Sequence, residues 1–234
     1  MESPSTSLYV LVASHPCIAA ELMLDRKGLA YRRVELPALA SRALLRAMRF
    51  PRPTAPALRL GGRRVQGSRE ISRALEEARP DPPLFPSRAD LGPRVEEAER
   101  WGEEVLQDAA RRIEIWGLRR DRSGVEAQLR ASTLPVPPRL GARLSGSALW
   151  LYQRITRAGG ESVRRDLAGL PAMLDRIDRW VNEGVLGAEE PNAADFQIAP
   201  SVRLLMTMED LRPSIETRPA GSLARRLVPE YARG

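Results

Sequence analysis

The chain has 234 residues, 43% of them hydrophobic, enough to build a large core in one sizeable domain or two small ones. Its formal charge of +7 does not read as a nucleic-acid surface: only Lys27 among the 37 basic residues is a lysine, pairs such as Arg32/Arg33, Arg63/Arg64 and Arg111/Arg112 are scattered, and at 5% aromatics no stacking platform interleaves with them. No stretch approaches the roughly 18 uninterrupted apolar residues of a membrane span, no basic leader precedes the first apolar run, and a lone cysteine fits a reducing, cytoplasmic setting.

In chain order, LYVLV (8–12) reads as a strand buried on both faces. Pro16 stands where a helix begins, Ile18, Ala19, Leu22 and Met23 recur at helical spacing, and Gly28 stands where the helix would end. YRRVEL (31–36) is a second strand, and SRALLRAM (41–48) a short helix opened by Ser41. PALRL, the turn Gly61-Gly62 and RRVQ make a hairpin, after which Ser68 caps a helix with Ile71, Ala74, Leu75 and Ala78 on its apolar face. The order β-α-β-α-β-β-α is that of a compact α/β layer.

Residues 79–93 carry five prolines, too many for a helix, and mark a boundary. Beyond it the pattern is helical. Val95, Ala98, Trp101, Val105, Ala109, Ile113 and Trp116 form one apolar stripe, and Leu149, Tyr152 and Ile155 another. Leu167, Leu170, Leu174, Ile177 and Val181 form a third, and Ile198, Val202, Leu205 and Met206 a fourth. The polar, proline-interrupted stretch 117–146 reads as a long loop. PNAADF (191–196) is a helix start: Asn192 as cap, with Asp195 reaching back to it.

Four stretches in this order resemble the glutathione S-transferase family over nearly the whole length. SHPCIAAELMLDRKGLAYRRVEL resembles the first β-α-β of its serine- and cysteine-type classes, with Ser14 fourteen residues before Gly28 at the catalytic position. TAPAL resembles the cis-proline motif and places Pro56 there, GSREISRALEE resembles the stretch that holds the γ-glutamyl end of glutathione, and PNAADFQIA matches the capping box of the helical domain. The resemblance implies an α/β thioredoxin-like domain over 1–79, a proline-rich linker over 80–93 and an all-α domain over 94–234. It also implies a homodimer, and glutathione or another low-molecular-weight thiol as co-substrate for attack on a small electrophile. Ala55, Pro56, Ser68 and Arg69 would contact the thiol. The resemblance also suggests Arg42, Arg46 and Arg49 for its glycyl carboxylate, and Trp101, Glu104 and Val105 for the electrophile pocket.

Only a thiolate attacks electrophiles, and an ordinary thiol is mostly protonated at neutral pH. Ser14 would donate its hydroxyl to the sulfur, with the helix starting near Pro16 adding backbone N–H groups and its dipole. Cys17 leaves two readings: a buried, inert thiol, or a monothiol centre in the first helical turn, although SHPC lacks the first cysteine of a C-x-x-C pair. His15 has no partner cluster for a metal site or triad and reads as a turn residue. The family's residue before Ser68 is acidic or an amide, whereas this chain has Gly67, so a non-catalytic protein that retains the fold is a further alternative.

Overall fold

The protein is described by a computed structural model covering residues 6–231. β1 (Ser7–Val10) and β2 (Arg32–Glu35) run parallel, Tyr9 beside Val34, joined by the crossover helix α1 (His15–Arg26). β3 (Ala57–Leu60) is antiparallel to β1, with Ala57 beside Tyr9, and β4 (Arg63–Gln66) is antiparallel to β3 across Gly61-Gly62. The sheet order is β2-β1-β3-β4, with α2 (Ser41–Ala47) between β2 and β3, and α3 (Ser68–Ala78) after β4. The thioredoxin-like layout is thus present. Both faces of β1 are covered, as its continuous apolar run requires: Leu8 and Val10 pack with α1 and α3, whereas Tyr9 and Leu11 lie against Leu36, Leu45 and Phe50.

Two helix starts differ from the sequence reading. Ser41 and Ser68 are first helical residues and not caps: Ser41 Oγ donates back to the Ala38 carbonyl (2.9 Å), and the buried Ser68 hydroxyl has no partner. Gly67 holds the cap position at φ +95°, a left-handed conformation that favours glycine.

The remainder is helical. α4 (Gly92–Trp101) passes through a π-helical turn (Gly102–Leu106) into α5 (Gln107–Arg120). Gly102 gives close approach to a later helix, since a Cβ there would lie 2.9 Å from Ile198 Cγ1. The stretch 117–146 is not a loop: α5 runs to Arg120, and α6 (Ser123–Arg130) and α7 (Pro138–Leu144) follow it. Two short amphipathic helices escape a periodicity reading because each offers only one or two core residues. Here Val125 and Ala142 form a satellite core with Leu149, Leu118 and Leu129. Then come α8 (Gly146–Thr156), α9 (Gly160–Asn182), α10 (Ala193–Leu205), α11 (Arg212–Glu216) and α12 (Pro219–Leu227).

α10 joins the two halves. Ala193 and Phe196 belong to the core beneath the sheet, and Ala194, Ile198, Ala199 and Val202 to the helical core. Its buried start is closed by the expected box: Asn192 Oδ1 accepts from Ala194 N (2.9 Å) and Asp195 N (3.2 Å), and Asp195 accepts from Asn192 N (3.0 Å) and Gly187 N (2.8 Å).

Lys27, the one lysine in an arginine-rich chain, is fully buried at the end of α1. Its ammonium donates to Glu76 Oε2 (2.5 Å) and to the carbonyls of Pro80 (3.2 Å) and Pro82 (2.7 Å), tying α1 to α3 and the proline-rich segment. A compact three-donor cation suits that pocket, whereas the larger planar guanidinium does not. Lys27→Arg is expected to destabilise by about 1–3 kcal/mol through overpacking. Lys27→Ala should cost about 3–5 kcal/mol by leaving Glu76 without its cation. Urea unfolding at unchanged m-value checks both, and a neutral Lys27→Arg would refute the size argument.

Candidate active site

The topology brings the sequence-marked residues to one end of the sheet. Tyr9, Ala57 and Gln66 lie in one row across β1, β3 and β4. Ser14, beyond β1, therefore shares an end with Ala55 and Pro56, just before β3, and with Ser68, just after β4. Glu35, at the end of parallel β2, lies there too. The Ala55–Pro56 peptide is cis, and the Pro56 carbonyl accepts from Gly67 N (3.1 Å), joining the proline turn to the start of α3.

Ser14 occupies the cap position of α1 with extended backbone (φ −81°, ψ 110°), yet its hydroxyl caps no helical amide. The preceding Ala13 stands at φ +54°, which costs a non-glycine residue on the order of 1 kcal/mol. Pro16 has no N–H, and Cys17 and Ile18 donate theirs to the Ser14 carbonyl (2.8 and 3.0 Å). A sulfur anion would therefore meet the helix dipole more than a cradle of free amides, a revision of the sequence expectation.

Cys17 is 1% exposed. Burial pushes its thiol up to about 11, against the opposing pull of the Ser14 hydroxyl and the Leu11 backbone. His15 is not a solvent-facing turn residue. It is buried in the first turn of α1, with Nδ1 2.9 Å from Ser201 Oγ on α10, and burial, reinforced by Arg111, holds it well below its usual range. Among the described residues no three His, Cys, Asp or Glu side chains group to hold a metal, and no helix is long and apolar enough to cross a membrane.

At the start of α3, Arg69 points to Glu104 (Nη1 to Oε1 3.7 Å). A side chain at Gly67 would overlap the Glu70 carboxylate, which pairs with Arg52 (3.1 Å). An acidic group thus lies over Gly67, reaching back from one helical turn later. The signal was present in GSRE, but spacing alone does not show that Glu70 folds back over Gly67. Near it, Glu103 is raised by burial and by Glu70, with Arg69 and Arg52 opposing. Trp101, which the sequence offers both to an apolar stripe and to the electrophile pocket, packs edge-on against Trp180 at the helical core (centroids 5.3 Å apart), beneath Arg176. Val105 remains exposed. A groove of about 610 Å³ lies beside the site, between β4 and α3, and its arginines are occupied: Arg63 by Glu77, Arg52 by Glu70, Arg73 by Glu99.

The helical part reaches back over this end of the sheet. Glu35 accepts from the Ser132 hydroxyl and from Thr133 N and Oγ1 (both 2.9 Å), and Tyr152 OH donates to the Ala38 carbonyl (3.4 Å). The sequence marks Tyr152 only as a member of an apolar stripe, and nothing in it marks these contacts, whose partners lie about a hundred positions away. Burial pushes the Glu35 carboxyl up, but the bonds from Ser132 and Thr133 and the nearby Arg33 outweigh it and hold it below its usual value.

Residues 8–83 match the sequence family described as the glutathione S-transferase N-terminal domain. Solved structures share the fold along nearly the full chain. A Methylobacterium radiotolerans glutathione S-transferase in complex with glutathione sulfonate is 18% identical, with a TM-score of 0.65, covering 97% of this chain and 94% of that one. The beta-etherase LigF of Sphingobium sp. is 16% identical (TM-score 0.64, coverage 95% and 99%), and GSTFuA2 of Phanerochaete chrysosporium is 16% identical (TM-score 0.65, coverage 99% and 100%). No curated protein matches the sequence. The chain is glutathione S-transferase-like in its N-terminal sequence and in its fold.

Because the Glu35 carboxylate holds the 132–133 segment, Glu35→Ala should lower amide protection at Thr133 by about tenfold or more, the loss of roughly 1.5–3 kcal/mol of charged hydrogen bonding. Its folded pKa lies below the ordinary 4.5, so the wild-type contribution is fully present above that value and fades as pH falls through the depressed one. Hydrogen exchange corrected for intrinsic rate checks both.

Proposed function

We propose that the protein binds glutathione, or a closely related γ-glutamyl thiol, and that Ser14 stabilises its thiolate for attack on a small electrophile, as a glutathione transferase does. One observation carries the reading: the cap residue Ser14, whose hydroxyl caps no helical amide, the cis Ala55–Pro56 turn and the unpartnered Ser68 hydroxyl at the head of α3 converge on one end of the sheet. The α3 N-terminus favours the γ-glutamyl carboxylate, beside Ser68 and Arg69. Glu70 offers the ligand's ammonium the acid missing at Gly67, and the Ala55 backbone beside Pro56 is free to pair with the cysteinyl backbone of the ligand. A similarly folded protein is solved in complex with glutathione sulfonate, which supports glutathione as the ligand.

With its pKa near 11, Cys17 is a protonated thiol at neutral pH and a weak donor. Ser14 Oγ can accept from it while its own hydrogen points to the ligand sulfur. The ligand's thiol proton goes to solvent, a carbon–sulfur bond forms, and the leaving group departs with its electron pair. The same burial of Cys17 disfavours the reading in which Cys17 itself is the nucleophile.

Calorimetry is expected to show glutathione binding in the millimolar range or tighter, and Ser14→Ala should cut conjugation of an aryl halide at least about tenfold. Cys17→Ala should retain most activity. Undetectable binding at millimolar glutathione overturns the proposal, and rapid alkylation of native Cys17 with loss of activity would favour the monothiol reading.

A further inference from the structure

We infer that Tyr231 is a positioning residue that directs the Ser14 hydroxyl by holding the peptide between Ala13 and Ser14; the inference rests on the thiolate-stabilising reading of Ser14. The Tyr231 hydroxyl donates to the Ala13 carbonyl at 2.7 Å, across 218 positions of sequence. The N–H of that same peptide, on Ser14, donates to the Leu11 carbonyl at 3.3 Å. One peptide plane is therefore gripped at both ends, and the bond from Tyr231 is the shorter. On the other side, the Ser14 carbonyl is fixed by Cys17 and Ile18. With both flanking planes set, the direction of Oγ depends on χ1 alone.

The grip is needed because the turn is not what the chain prefers locally. Ala13 lies at φ +54°, so without an outside partner the peptide after it is free to rotate toward commoner conformations. The tail is brought to this point by Arg203 of α10, whose Nε donates to the Val228 carbonyl (3.0 Å) and Nη2 to that of Pro229 (3.2 Å). The same helix carries Ser201, the partner of His15. Both neighbours of Ser14 are thus referred to α10, Ala13 through the tail and His15 directly.

Tyr231 is faced by Glu114 from α5, Cys17 from α1 and Arg203 from α10. Burial first, then the Glu114 and Cys17 charges, keep its phenol protonated well above its usual range, and burial pushes Glu114 itself up to about 7. The phenol therefore remains a hydrogen-bond donor across the working pH range.

The test reads the sulfur directly, by ultraviolet absorbance of enzyme-bound glutathione thiolate against pH, so that titration of Glu114 does not enter. Tyr231→Phe keeps the ring and removes the donor. It is expected to raise the bound thiol's pKa by about half a unit to one unit and to lower kcat about three- to tenfold, with KM for glutathione and the melting temperature nearly unchanged. A chain ending at Pro229 should show the same shift, which covers the case of a poorly folding Phe variant. In a Ser14→Ala background the Tyr231→Phe effect should vanish, because Tyr231 acts through Ser14. An unchanged titration in both tail variants, or an equal effect in the two backgrounds, overturns the inference. If Ser14→Ala shifts the thiol and Tyr231→Phe does not, only the tyrosine's role fails. If Ser14→Ala leaves the thiol unmoved, the Ser14 reading fails and the inference falls with it.

Discussion

The start of α10 is the constraint on which the rest of the protein depends. A helix begun inside a protein leaves backbone N–H groups that water cannot reach, and each unmet one costs about 1–3 kcal/mol. Asn192 and Asp195 meet those of Ala194, Asp195, Asn192 and Gly187 from within the chain. Burial pushes Asp195 up to about 6, so its hydrogen bonds are made against a desolvation cost. Because this end is closed, α10 can run through the middle of the molecule and contribute to the core beneath the sheet and to the helical core at once.

That placement gives α10 its reach toward the sheet end. Ser201 meets His15 and Arg203 holds the tail that carries Tyr231, while the sheet itself aligns Ser14, Pro56 and Ser68 by strand register. The two contributions are of different kinds. Register sets which residues share an end, to within the length of a turn. The neighbours of Ser14 are held more finely by hydrogen bonds from about two hundred residues away, Ala13 by Tyr231 in the tail and His15 by Ser201 of α10.

Legibility in the sequence divides along the same line. The strands, α1, α3, the long helices and the box at Asn192 were readable because each rests on neighbours: a period, a glycine turn, a cap three residues from its acid. That Ser14, Pro56 and Ser68 share one end of the sheet is legible through the resemblance, from motif order. Trp101 stands in both the apolar stripe and the suggested pocket because a helical stripe cannot say which of its members meets a second tryptophan, here Trp180. α6 and α7 were missed since their apolar residues are too few for a period. The hydrogen bonds of Glu35, Tyr152 and Tyr231 carry no local mark, as their partners lie about a hundred positions or more along the chain.

Ser14 also departs from what a residue in its position normally does. A serine at a helix cap normally accepts from the second or third amide of the helix, a bond worth about 1 kcal/mol. Here the hydroxyl makes no such bond, and the helix is entered by other means: Pro16 presets the backbone of the first turn, and His15 is buried against α10. That local stabilisation is forgone at the end of the sheet where Pro56 and Ser68 also lie, with the Cys17 thiol as the neighbour of the Ser14 hydroxyl. Conflicts of this kind between local preference and observed geometry, with the support supplied from elsewhere in the fold, are expected at functional or strained positions. The left-handed Ala13, held by Tyr231, is a second such conflict, one residue away.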